Sequence, residues 1–139
     1  MVCTFFGHRD TPDAMREKVK AAILGLLREE QDVEFYVGNN GSFDFVVQDV
    51  LSELKRRGFY LRYKIVLSFL GEKALGGEQE ATFFPEGLEN SLPKFAISRR
   101  NEWLIKNANA AIVYFDFQAS NSYKWIEKAR KRGIKILYL

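Results

Sequence analysis

Cysteine is nearly absent from this chain, and so is histidine: one of each among 139 residues. A lone Cys3 excludes an intramolecular disulfide, and its place in an apolar run makes it a small core residue. One histidine and one cysteine cannot supply a zinc cluster, so no metal is expected. No apolar stretch approaches the roughly 20 residues needed to cross a bilayer. The charged run that begins at His8-Arg9-Asp10 also cuts short any secretory leader. The expected location is therefore the cytoplasm, with no membrane partner. The sequence lacks a Gly-x-Ser-x-Gly elbow, which excludes a serine hydrolase of that type. An excess of charge of one sign is missing as well. The net charge is only +3, whereas nucleic-acid binding usually shows as a clustered basic face, so no specific nucleic-acid partner is expected.

What the chain does have is ordinary for a globular protein: 47% hydrophobic and 28% charged residues, with 12 Phe to build an aromatic core. The length suits one domain, residues 1–139. Apolar, β-prone runs at 2–6, 33–37, 63–69, 110–115 and 134–138 read as strands buried on both faces. Helical stripes lie between them. Thr11 and Pro12 read as N-cap and first residue of a helix carrying Met15, Val19, Ala22, Ile23 and Leu26. Ser42 reads as the cap of a second, with Phe43, Val46, Val47, Val50, Leu51 and Leu54 on one face and Gly58 as its stop. Further helices are expected over 95–107 and 122–132. Residues 70–93, rich in Gly and Pro, form a long irregular loop of a kind often tied to function.

Alternating strands and helices predict an α/β fold, a three-layer Rossmann-like sandwich with a mainly parallel five-stranded sheet ordered 3-2-1-4-5. Ligands of such sheets bind beyond the carboxyl ends of the strands, near the point where strand order reverses. Residues 7–11, 38–44 and 116–122 would gather on that edge.

Several side chains there can carry chemistry. Gly7-His8-Arg9 offers close backbone approach, an imidazole and a guanidinium fork. Spacing alone weighs it evenly between a binding turn and a surface pair. Gly38-Asn39-Asn40-Gly41 opens a helix, where free N–H groups attract anions. Asp44 there can accept a ribose hydroxyl or complement the helix dipole, and an ordinary capped turn is the simpler reading. Glu86 and Glu89 are paired carboxylates suited to acid–base work if one is desolvated, although a Pro-Glu-Gly stretch is more often a solvated turn. Arg100 stands near a helix start, against the dipole, and so calls for an acid or a phosphate as compensation. Ser120 and its neighbours can cap the last helix or bind an anion.

Taken in order, Thr4-Phe5-Phe6-Gly7-His8-Arg9, Tyr36-Val37-Gly38-Asn39, Phe43-Asp44, Pro85-Glu86-Gly87-Leu88-Glu89, Ala96-Ile97-Ser98 and Arg100-Asn101 form a pattern spanning nearly the whole chain. It resembles small bacterial proteins of the SLOG superfamily, in the YpsA-like group, which are Rossmann-like and related to DprA/Smf and LOG. The resemblance implies a nucleotide or nucleotide-derived ligand at the carboxyl edge, held by Gly7, His8, Arg9, Gly38, Asp44, Glu86, Arg100 and Asn101. Asn39, Gly41 and Ser120 flank these positions. One departure stands out: Ser120-Asn121 occupies the place where relatives have a Gly-Gly or Gly-Thr pair. The Pro-Gly-Gly-x-Gly-Thr-x-x-Glu motif of the LOG enzymes is absent too, although Glu127 lies in the following helix.

The favoured expectation is a sensor or binding module for a nucleotide-type small molecule, without a cofactor and compatible with a homo-oligomer. One alternative is an enzyme cleaving an N-glycosidic or phosphoester bond, with Glu86 as nucleophile or base and His8 assisting. Another is a protein-interaction module displaying Phe83, Phe84 and Phe117 as one patch.

Overall fold

A computed structural model describes residues 1–8, 10–115 and 123–139. Strands β1 (Val2–Phe6), β2 (Glu34–Val37), β3 (Arg62–Val66), β4 (Thr82–Phe83), β5 (Ala110–Val113) and β6 (Lys135–Tyr138) form one sheet. Its order is β4-β3-β2-β1-β5-β6, and every pairing is parallel. Helices α1 (Met15–Glu29) and α2 (Gly41–Arg56) pack on one face; α3 (Ala96–Asn107) and α4 (Tyr123–Lys131) pack on the other. This is the expected α/β sandwich. The sheet has six strands rather than five, because the long loop contributes β4 beside β3. Two residues flanked by Gly and Pro carry too little pattern to announce a strand.

Both faces of the sheet are covered, which is why its strands are continuous apolar runs rather than alternating ones. All four residues of β5 are buried: Ala110 and Ile112 face α1 and α2, while Ala111 and Val113 face α3 and α4. The first face is the larger core, where Phe5 and Phe35 meet at 5.9 Å between ring centroids. A fully buried ring such as Phe35 contributes roughly 1.5–3 kcal/mol. Cys3 lies in this core, and burial pushes its thiol up to about 12, so it is an inert filler. Arg16 and Lys20 of α1 pair with Asp49 and Glu53 of α2, tying the two helices together at the surface.

Helix ends depart from expectation at two starts. Regular helix α1 begins at Met15 after Ala14, and the Thr11 hydroxyl donates to the His8 carbonyl (2.8 Å) rather than capping the helix. Helix α2 starts at Gly41, with Asn40 at the N-cap, so Ser42 lies inside the first turn. At the other end the expected stop is present. Gly58 N donates to Lys55 O and Phe59 N to Leu54 O, the two bonds of a Schellman cap. Among the described residues no helix is long and apolar enough to cross a membrane.

Candidate functional site at the carboxyl edge of the sheet

Because all strands are parallel, β1, β2, β3 and β5 deliver their carboxyl ends to one edge. From β1 the chain builds outward through β2 and β3, then returns to place β5 on the other side of β1. The crevice between the ends of β1 and β5 is thus the reversal point at which such sheets hold ligands. The structure brings Gly7 and His8, Gly38 to Asn40, and Tyr114 and Phe115 to this edge.

Gly7 is dictated by close approach. A Cβ there would stand 2.3 Å from Cγ of Phe43, so the α2 ring packs directly on the β1 turn. Beyond it, the buried His8 imidazole meets Tyr114 edge-on, with centroids 5.3 Å apart at 89°, and stacks on Phe115 at 6.1 Å and 23°. Tyr114 is held in place by its N–H, which donates to Phe6 O at 3.0 Å. The Thr11 N–H donates to Ser42 Oγ (2.6 Å), closing the turn against α2. An aromatic cluster therefore packs at the reversal point, with Phe43 and His8 buried behind the half-buried Tyr114 and Phe115.

A second cluster is centred on Gly38. A Cβ there would fall 2.7 Å from Asp44 Oδ2 and 2.9 Å from Arg100 Nη1. Asp44 comes from α2 on one face of the sheet and Arg100 from α3 on the other, and only a residue without a side chain lets them converge. Asp44 accepts from the Asn40 N–H at 2.8 Å. Burial pushes its carboxyl up to about 6, against the lowering pull of the Arg100 charge and the Asn40 N–H. Arg100, which is 3% exposed, donates from Nη1 to Asn40 Oδ1 (3.1 Å) and Val66 O (3.3 Å), and from Nε to Asn101 Oδ1 (3.1 Å). Its second arm, Nη2, donates to no described residue. Burial lowers the Arg100 pKa, and the charges of Asp44 and Glu72 pull it back up. The compensation that the sequence demanded for Arg100 is thus an acid held nearby and three neutral acceptors.

Asn39 takes a different part. Its amide nitrogen donates to Glu72 Oε2 (2.9 Å) and Lys73 O (2.8 Å), and its oxygen accepts from Gln48 Nε2 (2.9 Å) and Leu75 N (3.0 Å). All four positions are filled, so Asn39 anchors the loop after β3. Gln48, fully buried, adds bonds from Nε2 to Gly38 O and to Oε1 from the N–H groups of Gly76 and Gly77. Glu72 accepts from Ser68 Oγ and the N–H groups of Ser68 and Phe69. Burial alone would raise its pKa, but these bonds and the one from Asn39 outweigh it and hold it below the usual glutamate value. Reading the sequence missed this clamp. The signal available was the run Asp44, Gln48, Ser52, a polar ridge at helical spacing beside the apolar stripe, and all three are buried.

Other expected residues lie elsewhere. Glu86 is exposed, so it is not the desolvated carboxylate that an acid or base role requires, and Glu89 turns back to accept from Gly87 N. Phe83 packs with Trp103 on the α3 side, while Phe84 packs into the α1–α2 core. They do not share a patch, which removes the basis for the expected aromatic interaction face. Gly41 opens α2, and Asn101 is buried beside Arg100. Arg9, Phe117 and Ser120 lie outside the described residues. Among the described residues no three His, Cys, Asp or Glu side chains converge as a metal site would need.

No family model matches the sequence, and no curated protein is significantly similar to it. Among solved structures, DNA processing protein A from Helicobacter pylori, reported for its unique single-stranded DNA binding mode, has the same fold. The two superpose with a TM-score of 0.69 at 14% sequence identity, over 99% of this chain. This chain spans 64% of the length of that one. The neighbour establishes the Rossmann-like parallel α/β fold and agrees with the DprA side of the resemblance. It also corrects one expectation. The same architecture occurs in a single-stranded DNA binder, so a small net charge was no ground for expecting no specific nucleic-acid partner.

Proposed function

We propose that the carboxyl edge binds a nucleotide-type ligand, and that residues 1–139 act as one SLOG-type domain of the YpsA-like group, serving as a sensor or binding module. The base lies against Tyr114 and Phe115, which His8 backs, and Arg9 and Arg100 neutralise the phosphate. The observation that carries this reading is the Arg100–Asp44 convergence over Gly38. A buried cation normally keeps a carboxylate in direct contact, because uncompensated burial costs several kcal/mol. Here Asp44 is itself held toward its neutral form, and among the described residues none accepts from the second arm of the guanidinium, where an anion would bind. The neighbour's single-stranded DNA is a chain of nucleotide units, which supports the same ligand chemistry.

Thermal melting against nucleotides, dinucleotides and nucleotide sugars tests the reading. A ligand at a hundred times its Kd stabilises by about 2.7 kcal/mol, an easily resolved upward shift in Tm. Arg9→Gln and Arg100→Lys should abolish the shift. The lysine keeps the charge of Arg100 while losing its fork, and circular dichroism confirms that each variant is folded. A panel that shifts nothing, or variants that respond as the parent does, would overturn it.

A further inference from the structure

A second charged feature lies away from that edge. The small net charge conceals a lopsided distribution: residues 123–139 hold six Lys or Arg and one Glu, while residues 1–122 carry slightly more acid than base. The fold concentrates part of this excess. Between α3 and α4 runs an open groove of about 510 Å³ lined by Glu102, Ile105, Lys106, Lys128, Lys131 and Arg132. Both helices end on this side, toward the amino edge of the sheet.

Basic residues at helix ends complement the helix dipole, and that is the simpler explanation to weigh. Each dipole terminus amounts to roughly half a charge. Two termini therefore absorb about one of the four cations, and Glu102 another. None of the four forms an ion pair among the described residues; Arg130, which does, pairs with Glu127 along α4. Lys128 is steadied over the Trp125 ring at 4.7 Å. A net positive groove remains after the local accounting, with a single apolar side chain, Ile105, in its wall.

We infer that this groove binds the phosphodiester backbone of a single-stranded nucleic acid. Its cations, Lys106 from α3 and Lys128, Lys131 and Arg132 from the end of α4, line one groove, which suits a flexible polyanion that can enter a cleft. A bilayer surface fits less well. It cannot enter a groove, and none of the exposed large apolar side chains among the described residues lies in 98–113 or 124–137 to anchor in lipid. The site is separate from the carboxyl edge and does not depend on the ligand proposed there.

The test is fluorescence anisotropy of labelled 15-mers of thymidylate and uridylate with the full chain, over a range of KCl concentrations. Engagement of three or four phosphates predicts a slope of log K against log [KCl] of about −2 to −3. The variant K106Q/K128Q/K131Q/R132Q, altered only at exposed positions, should lose at least tenfold in affinity with its circular dichroism spectrum unchanged. Three results would each overturn the inference: variant affinity within twofold of the parent, displacement of the oligonucleotide by saturating mononucleotide, or tighter binding to phosphatidylserine vesicles than to either oligomer. The thermal-shift panel on the same variant keeps the two sites distinct, because changes in the groove leave any response at the carboxyl edge intact.

Discussion

Two residues at the carboxyl edge are fixed by what they leave out. Gly7 has no side chain because the Phe43 ring occupies the place where a Cβ would stand, 2.3 Å from Cγ. Phe43 is 1% exposed and has nowhere to swing. Gly7→Ala should therefore behave as an overpacking substitution and cost about 1–3 kcal/mol. Phe43→Leu in the same background should recover part of that loss, so the two changes are non-additive in a urea double-mutant cycle. Additive losses would mean that Gly7 answers to something other than the ring. Gly38 obeys the same logic with charged neighbours, which is why a position that reads as an ordinary turn glycine governs how closely Asp44 and Arg100 converge.

Helix α2 shows what a sequence reveals of an element and what it hides. Its apolar stripe and Gly58 stop were readable because burial against a sheet and a Schellman cap both leave strong, local patterns. The order of the strands was readable for the same reason. The role of Gln48 in the polar ridge of Asp44, Gln48 and Ser52 was not, since it depends on a distant partner: the loop from Ser68 to Gly77 that Gln48, Asn39 and Glu72 hold. A loop without periodicity gives no hint of which helix it covers. Asn39 was taken for a ligand-binding residue on its turn chemistry, and its amide is instead filled by that loop and by Gln48. Glu86 was drawn in by the resemblance, although a Pro-Glu-Gly stretch is more often a solvated turn, and its exposure agrees with that simpler reading. Glu72→Gln tests the clamp at this scale. The new amide sets a donor against the Asn39 Nδ2 donor, so stability should fall by about 1–3 kcal/mol. Amide exchange at Ser68, Phe69 and Leu75 to Gly77 should quicken, and unchanged exchange there would mean that the loop is held by packing alone.

For the molecule as a whole, buried Asp44 and half-buried Glu72 give opposite pH dependences, and their signs follow from linkage. Asp44 has a folded pKa raised to about 6 from an ordinary 3.8, so on acidification the folded protein takes up this proton before the unfolded chain does. Its ionised form is a penalty present in full above pH 6, and stability rises as pH falls through that value. A two-unit shift corresponds to at most about 3 kcal/mol. Glu72 is held below its ordinary 4.5, so its contribution is present above that value and is lost as pH falls through the folded pKa. Together they predict a stability maximum on the acid side of neutrality, between these two ranges, in urea midpoints measured from pH 3.5 to 8. Asp44→Asn should flatten the neutral limb and Glu72→Gln the acid limb. The same proton links stability to binding. Once Asp44 is neutral, Arg100 faces the edge without its carboxylate, so a dinucleotide, whose phosphodiester keeps its charge over this range, should bind more tightly at pH 5.5 than at 7.5. That gain should vanish in Asp44→Asn, which is already neutral at both values. A pH-independent affinity in the parent protein would separate the Asp44 titration from the ligand site and leave it a matter of stability alone.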